Sequence, residues 1–388
     1  MMHQIPSLTE RMAHLIGSPS ISCADPKLDQ SNLGVIHHLA EWCETLGFNV
    51  EIETLAPGKA NLIATLGPVT SGTVPGGLVL SGHTDTVPCN PDLWHSDPFK
   101  ATLRDERVYG LGSCDMKGFF AIALEAASRF KAKDLKEPLI LIGTADEESS
   151  MSGARQLLAS SRKLGRKAVI GEPTGLQPIR VHKGVMMEAI RVKGRAGHSS
   201  DPSLGANAIL GMHQVISTLI ALQEEFKARY RHPAFKVDYP TLNLGAIHGG
   251  DNPNRICGHC ETLIDIRPLP GMTIETIQAL LEERLLGLFP EGNGLGIEIQ
   301  PLFPGVPPFE TPADAELTRY LETATGREAG AVAFGTEGPF FNALGLETLI
   351  LGPGSIDQAH QPDEFLSLSD VAPGISLFEN LIGRYCGA

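Results

Sequence analysis

The sequence predicts an α/β protein of two domains, one inserted into the other. Three observations predict it. The chain has 388 residues, more than one ordinary domain uses. Over residues 1–181, short apolar runs alternate with segments of helical apolar spacing, the pattern of a sheet with helices on both faces. Over residues 182–299 the order becomes strand, helix, strand, strand, helix, strand, the βαββαβ pattern of a ferredoxin-like sandwich. Residues 300–388 return to the first style. Residues 1–181 and 300–388 are therefore expected to form one domain, and 182–299 the insert.

The elements follow from local patterns. Leu33, Ile36, Leu39, Ala40, Cys43 and Leu46 recur at helical spacing and predict a helix over 32–46. Strands are expected at 49–55, 61–66 and 78–81, then an Ala- and Leu-rich helix at 118–130. Short apolar runs within 138–145 and 167–173 end in polar residues and read as core strands. In the insert, strands are expected at 185–192, 241–247, 256–266 and 295–302, with helices at 206–227 and 273–288. A last core strand opens the segment 348–355. The Pro- and Gly-rich stretches 68–77 and 301–308 read as loops.

Composition narrows the function. At 42% hydrophobic residues a sizeable core can form, and a formal net charge of −14 is spread along the chain. A nucleic-acid binder needs a basic face, and there is none; an anionic membrane surface is disfavoured for the same reason. No apolar run approaches a membrane span. The N-terminal "MMHQIPSLTERMAHLIGSPS" lacks the apolar centre of a signal peptide. Seven scattered cysteines with no export signal predict free thiols in a reducing cytoplasm.

The chemistry sits after the core strands. His83 and Asp85 follow the strand at 78–81, Glu147 and Glu148 the run at 138–145, and Glu172 the run at 167–171. Asp357, His360, Asp363 and Glu364 follow the last strand, and Asp115 in "GLGSCDMKG" precedes a helix. In open α/β sheets ligands bind outside the carboxyl ends of the strands, so these groups are expected at one edge. Two histidines and several carboxylates suit zinc, cobalt or manganese. Five ligands exceed the need of one tetrahedral ion, whereas a carboxylate bridging two ions would use them all. A two-metal site activates water and polarises a carbonyl together. Asp85 is placed to orient His83. Of Glu147 and Glu148, one can bind metal while the other takes a proton from water.

Taken singly, each residue has a plainer reading. Adjacent glutamates are usually a solvated surface, a lone histidine a loop residue, Glu172 a turn and Asp115 an N-cap. Their shared edge is what singles them out. A rival signal is "ICGHCE", with Cys257 and Cys260, which would suit a thiol oxidoreductase. On a continuous strand these two cysteines point to opposite faces and cannot pair. "GLGSCDMKG" lacks the spacing of a phosphate loop, and no G-x-S-x-G appears.

The ordered set "GHTDTVP", "GLGSCDMKG", "ADEE", "IGEPT" and "QAHQPDE" is similar to the signature of the M20 metallopeptidase family, and the resemblance runs through the whole chain. It implies a zinc-peptidase-like α/β catalytic domain, with the insert as lid and dimerisation domain. It implies two divalent ions, Zn2+ or Co2+: His83, Asp115 and Glu172 on one, and the bridging Asp115, Glu148 and His360 on the other. Asp85 would orient His83, Glu147 would act as general base and then acid, and the Asp115–Met116 peptide would be cis. A homodimer is implied, in which His198 of "GRAGHSS" steadies the oxyanion in the partner's site. Arg267 of "DIRPLP", with Asn254 and Arg255, would meet the substrate. On the residues alone His198 is a polar loop histidine, and Arg267 pairs equally well with Asp265. "GHSSDP", "YPTLNLGAIHGGD", "GTEGPF" and "LGPGSIDQAHQPDEF" resemble the branch that hydrolyses N2-acetyl-L-ornithine to L-ornithine and acetate in arginine biosynthesis. Where many relatives carry Gly-Thr-Ser-Asp, this chain has "GTEGPF", and Glu337 is expected to meet the substrate's free amine. The other readings are a deacylase of another N-acyl amino acid, such as succinyl-diaminopimelate, and a silent metal- or amino-acid-binding protein. The presence of all five ligands and Glu147 speaks against the silent one.

Overall fold

The computed structural model describes residues 5–68 and 76–387. Residues 1–4 of the N-terminal stretch, and 69–75 of the loop expected at 68–77, lie outside the described residues. The chain divides into one unit of Met1–Arg180, Thr311–Gly330 and Thr336–Ala388, and a second of Val181–Glu310 and Ala331–Gly335.

In the first unit, Leu78–His83 and Leu139–Thr144 are buried at every position. Parallel strands covered on both faces have this character. The two pair in parallel; Lys167–Ile170 runs parallel to Leu78–His83 on its other side and to Glu347–Ile350 beyond. Lys59–Leu66 pairs antiparallel with Leu139–Thr144, and Asn49–Ala56 antiparallel with Lys59–Leu66. Four neighbouring strands therefore end on the same edge; His83, Glu148, Glu172 and His360 lie at or after those ends, and Asp115 comes from the loop before the helix Lys117–Ala127.

The helix Lys117–Ala127 is buried at ten of its eleven residues and packs against Leu8–Ile16 and Val371–Tyr385. A helix apolar on all sides is a core helix. Leu8–Ile16 opens with a capping box, Ser7 and Glu10 exchanging hydrogen bonds. At Gly82 a Cβ would lie 2.4 Å from Met116 Cε, so glycine lets this strand end approach the segment after Asp115. The structure adds helices at Leu8–Ile16, Ser152–Ala159, Glu316–Thr325, Gly338–Ala343 and Val371–Tyr385 to those expected. It also adds a small antiparallel sheet of Thr102–Arg104, Arg107–Tyr109 and Phe365–Ser367.

The second unit has the predicted strand–helix order. Its antiparallel sheet runs Thr241–Gly249, His259–Arg267, Met186–Lys193, Gly296–Pro301. Met186, Ile190 and Val192, alternate residues of one strand, form a core with Met212, Leu219, Ile277 and Leu281 of the helices Ala208–Arg229 and Ile274–Leu285. Glu188 shares their parity and is 1% exposed, with Oε2 lacking a hydrogen-bond partner. Burial, reinforced by Glu282, pushes its carboxyl up to about 7.

One expectation fails. The strand expected at 256–266 is broken: Arg255–Ile256 pairs with Gly197–His198, and only His259–Arg267 joins the sheet. Cys257 and Gly258 lie between. The break resets the strand alternation, and Cys257 and Cys260 pack into the same core instead of opposite faces. All seven cysteines are free. Among the described residues no helix is long and apolar enough to cross a membrane.

Candidate metal centre

His83 closes its strand fully buried. Its Nδ1 lies 3.1 Å from the backbone carbonyl of Asp85, and its Nε2 3.0 Å from Asp115 Oδ1. Donation from Nδ1 to that carbonyl selects the tautomer whose Nε2 lone pair faces the cluster. Asp115 is 6% exposed and joined to Met116 by a cis peptide. While its Oδ1 faces His83, its Oδ2 lies 3.5 Å from His360 Nε2. His360 Nε2 in turn lies 3.1 Å from Glu148 Oε1. Donor atoms of His83, Asp115 and Glu172 fall within 4.8 Å of one another, as do those of Asp115, Glu148 and His360, and those of His83, Glu147 and Glu148.

The donor set is nitrogen and carboxylate oxygen throughout, and Asp115 is shared by two of the three groups. That is the arrangement two divalent cations need. The electrostatics agree. Burial first, then Glu148 and Glu337 among other carboxylates, pushes Glu147 well above the usual carboxylate range, against the pull of His83. Glu172 is raised the same way, by burial and by Asp115, Glu148 and Glu337. Burial disfavours a charged His83, but Asp115, Glu172 and Glu147 outweigh it and hold its pKa well above normal. His360 rises to about 9, chiefly through Glu148. Carboxylates crowded in this way, short of positive charge, suit cations.

Asp85 makes two kinds of contact. Its backbone carbonyl, not its carboxylate, makes the hydrogen bond to His83; Oδ1 stands 3.7 Å from His83 Nδ1. The carboxylate accepts the backbone N–H of Glu147 at 3.2 Å and of Glu148 at 3.1 Å. Burial raises its pKa to about 6. Asp146, just before the glutamates, is left-handed at φ 57°. It is held by Lys59 Nζ at 2.6 Å, Ser22 Oγ at 3.0 Å and Ser152 Oγ at 3.2 Å. Nothing in the sequence marks Lys59 as the residue that steadies Asp146, because it opens an ordinary strand. Asp363, among the acids after the last strand, pairs with His95 instead, at 2.5 Å from its Nδ1.

Glu337 belongs to the same unit and is fully buried, neither carboxylate oxygen having a hydrogen-bond partner. Burial lifts it to about 7, against the pull of His83; the Thr144 hydroxyl nearby donates to the Gly82 carbonyl at 3.2 Å. The remaining predicted residues lie in the second unit. His198 is paired with Arg255 across the short two-stranded ladder, and its Nδ1 meets Ser200 Oγ at 2.7 Å. Asn254 accepts the Ser199 N–H through its backbone oxygen at 3.1 Å. Arg255 pairs with Asp251 at 2.7 Å, and Arg267 Nε with Asp265 at 2.9 Å.

Comparison with known proteins is consistent with this geometry. Residues 79–384 match the family model described as Peptidase family M20/M25/M40. The chain is 47% identical to an acetylornithine deacetylase of Proteus mirabilis (strain HI4320) over 385 residues, 99% of this chain and 98% of the relative. It is 46% identical to an acetylornithine deacetylase of Klebsiella pneumoniae (strain 342), covering 100% of both. Among solved structures, the aminopeptidase PepT from Bacillus cereus superposes with TM-score 0.73 at 20% identity, over 98% of this chain and 99% of that one. A dinuclear metal-binding peptidase of the M20 family from Bacillus subtilis superposes with TM-score 0.65 at 16% identity, over 97% of each. The chain belongs to the M20/M25/M40 peptidase family.

Proposed function

We propose that this chain is a metal-dependent amide hydrolase that converts N2-acetyl-L-ornithine and water to L-ornithine and acetate. The observation that carries the chemistry is Asp115, whose two carboxylate oxygens face two different histidines, His83 and His360. The substrate rests on the full-length likeness to relatives named acetylornithine deacetylase.

In this reading His83, Asp115 and Glu172 hold one ion, and Asp115, Glu148 and His360 a second, Zn2+ or Co2+. When bound, the pair supplies Lewis acidity to the attacking water and to the scissile carbonyl. Glu147 takes a proton from the water as its oxygen bonds to the acetyl carbon. The carbon–nitrogen bond then breaks, and Glu147 returns the proton to the leaving α-amine. The partner subunit's His198 donates to the oxyanion. Arg267 binds the substrate carboxylate, Asn254 and Arg255 stand on the substrate's side, and Glu337 meets its free amine.

A homodimer belongs to the same reading. In the second unit Thr241–Gly249 is an edge strand, and Ile209, Leu210, Ile220 and Ile247 are exposed. An open edge with apolar neighbours favours association with a second copy. The same reading places the chain in arginine biosynthesis, and its scattered cysteines suit a reducing cytoplasm.

The test is a deacylation assay with Zn2+ or Co2+, a chelated control and Glu147→Ala. N-acetyl-L-ornithine, succinyl-diaminopimelate and a neutral N-acetyl amino acid are offered side by side. The expected result is metal-dependent turnover of N-acetyl-L-ornithine, with kcat about 10²–10⁴-fold lower in the variant. Preference for another acyl-amino acid would overturn the substrate alone. Metal binding without hydrolysis of any of the three would overturn the activity.

A further inference from the structure

Glu364 is 1% exposed and accepts three backbone hydrogens from one loop. Its Oε1 takes the N–H of Cys114 at 2.7 Å and of Asp115 at 2.9 Å, and its Oε2 takes that of Gly112 at 3.0 Å. Its backbone carbonyl takes the N–H of Gly110 at 3.0 Å. Successive backbone N–H groups that converge in this way form an anion-binding concavity. Here the anion is a side chain from 249 residues away in sequence. Lys117, which opens the helix after this loop, is buried too, and its Nζ donates to the Ser18 carbonyl at 3.1 Å. Glu364 lies four residues after His360, and the next residue, Phe365, pairs with Tyr109. One short segment thus carries a histidine ligand and grips the loop that carries the shared carboxylate.

We propose that Glu364 is a positioning residue for the metal centre. Its carboxylate sets the loop 110–115 so that one oxygen of Asp115 faces His83 and the other His360. This rests on reading Asp115 as the bridging ligand, and not on which amide is hydrolysed. Because both oxygens of Glu364 accept, glutamine in either orientation turns its NH2 towards a backbone N–H. Aspartate keeps the carboxyl group but is one methylene too short to reach all three donors.

The experiment measures metal affinity by chelator competition, with melting curves, kcat and KM, on the full chain, Glu364→Gln and Glu364→Asp. The control is Glu188→Gln, which removes a buried carboxylate in the second unit. The expected result is that at least one ion binds about 10–100-fold more weakly in Glu364→Gln, with kcat reduced and KM nearly unchanged. Glu188→Gln keeps wild-type affinity. Two ions bound with wild-type affinity in Glu364→Gln overturn the proposal. If that variant does not fold, wild-type affinity in Glu364→Asp overturns it instead, and weakened affinity supports it. A wild-type chain that hydrolyses a different amide, or none, leaves the affinity comparison decisive, so the two readings fail separately.

Discussion

Asp85 Oδ1 accepts the backbone N–H of Glu147 at 3.2 Å, and the other carboxylate oxygen takes that of Glu148 at 3.1 Å. The segment that presents one histidine ligand therefore also fixes the turn that carries the proposed base. Asp85→Asn must set its NH2 against one of those donors. The expected outcome is a kcat lowered about 10–100-fold with both ions still bound at saturating metal. Steady-state kinetics and metal analysis check it; an unchanged kcat would show that the turn holds without the carboxylate.

Glu337 offers two buried oxygens without a hydrogen-bond partner beside Glu147 and Glu172. If it meets the free amine of the substrate, Glu337→Gln lowers kcat/KM for N-acetyl-L-ornithine by about 10–100-fold. A neutral acetyl-amino acid of similar length is affected only slightly. An unchanged preference between the two substrates removes Glu337 from substrate recognition.

Glu188 makes the second unit pH-sensitive. An unfolded glutamate titrates near its ordinary value of 4.5, whereas the folded one is pushed to about 7 by burial. Between those values the folded chain holds a proton that the unfolded chain has released. Stability is therefore full below about pH 4.5, falls as pH rises, and levels off above about 7. The total is roughly 3 kcal/mol. In Glu188→Gln this component vanishes, so the variant's melting temperature should rise relative to wild type as pH goes from 5 to 8. A constant difference across that range refutes the assignment.

The shared core of Cys257 and Cys260 separates the hydrolase from the thiol oxidoreductase. Replacing both with alanine removes two sulfurs from the core of the second unit and no donor from the metal centre. Metal-dependent hydrolysis is expected to survive within a few-fold, with a melting temperature lowered by the lost packing. Loss of all hydrolysis in a folded double variant would return the cysteines to the chemistry.

Much of the fold is legible because its periods are strong. The apolar runs at 78–81 and 138–145 are core strands, and the order of elements in 182–299 is the observed one. The helix Gly338–Ala343 is not legible, being too short for a 3.6-residue pattern to repeat. Nor is the interruption of the strand at Cys257, since a break at a small residue such as Gly258 leaves the apolar count unchanged. At the candidate site the histidines and acids stand out by their position after core strands. Lys59, which steadies Asp146, does not.

By itself the sequence determined the core strands of the first unit, the order of elements in the inserted one, the family, and a set of donors expected at one sheet edge. Parallel strands point their carboxyl ends the same way, so residues that follow them meet whatever the loops between them do. The resemblance already implied Asp115 as the shared carboxylate; only the tertiary structure decided that Asp85 holds the Glu147–Glu148 turn and that Glu364 holds the loop of Asp115. The reason is physical: the donors in those last two contacts are backbone N–H groups. Every residue but proline carries one, so no side-chain pattern reveals which of them a buried carboxylate will find.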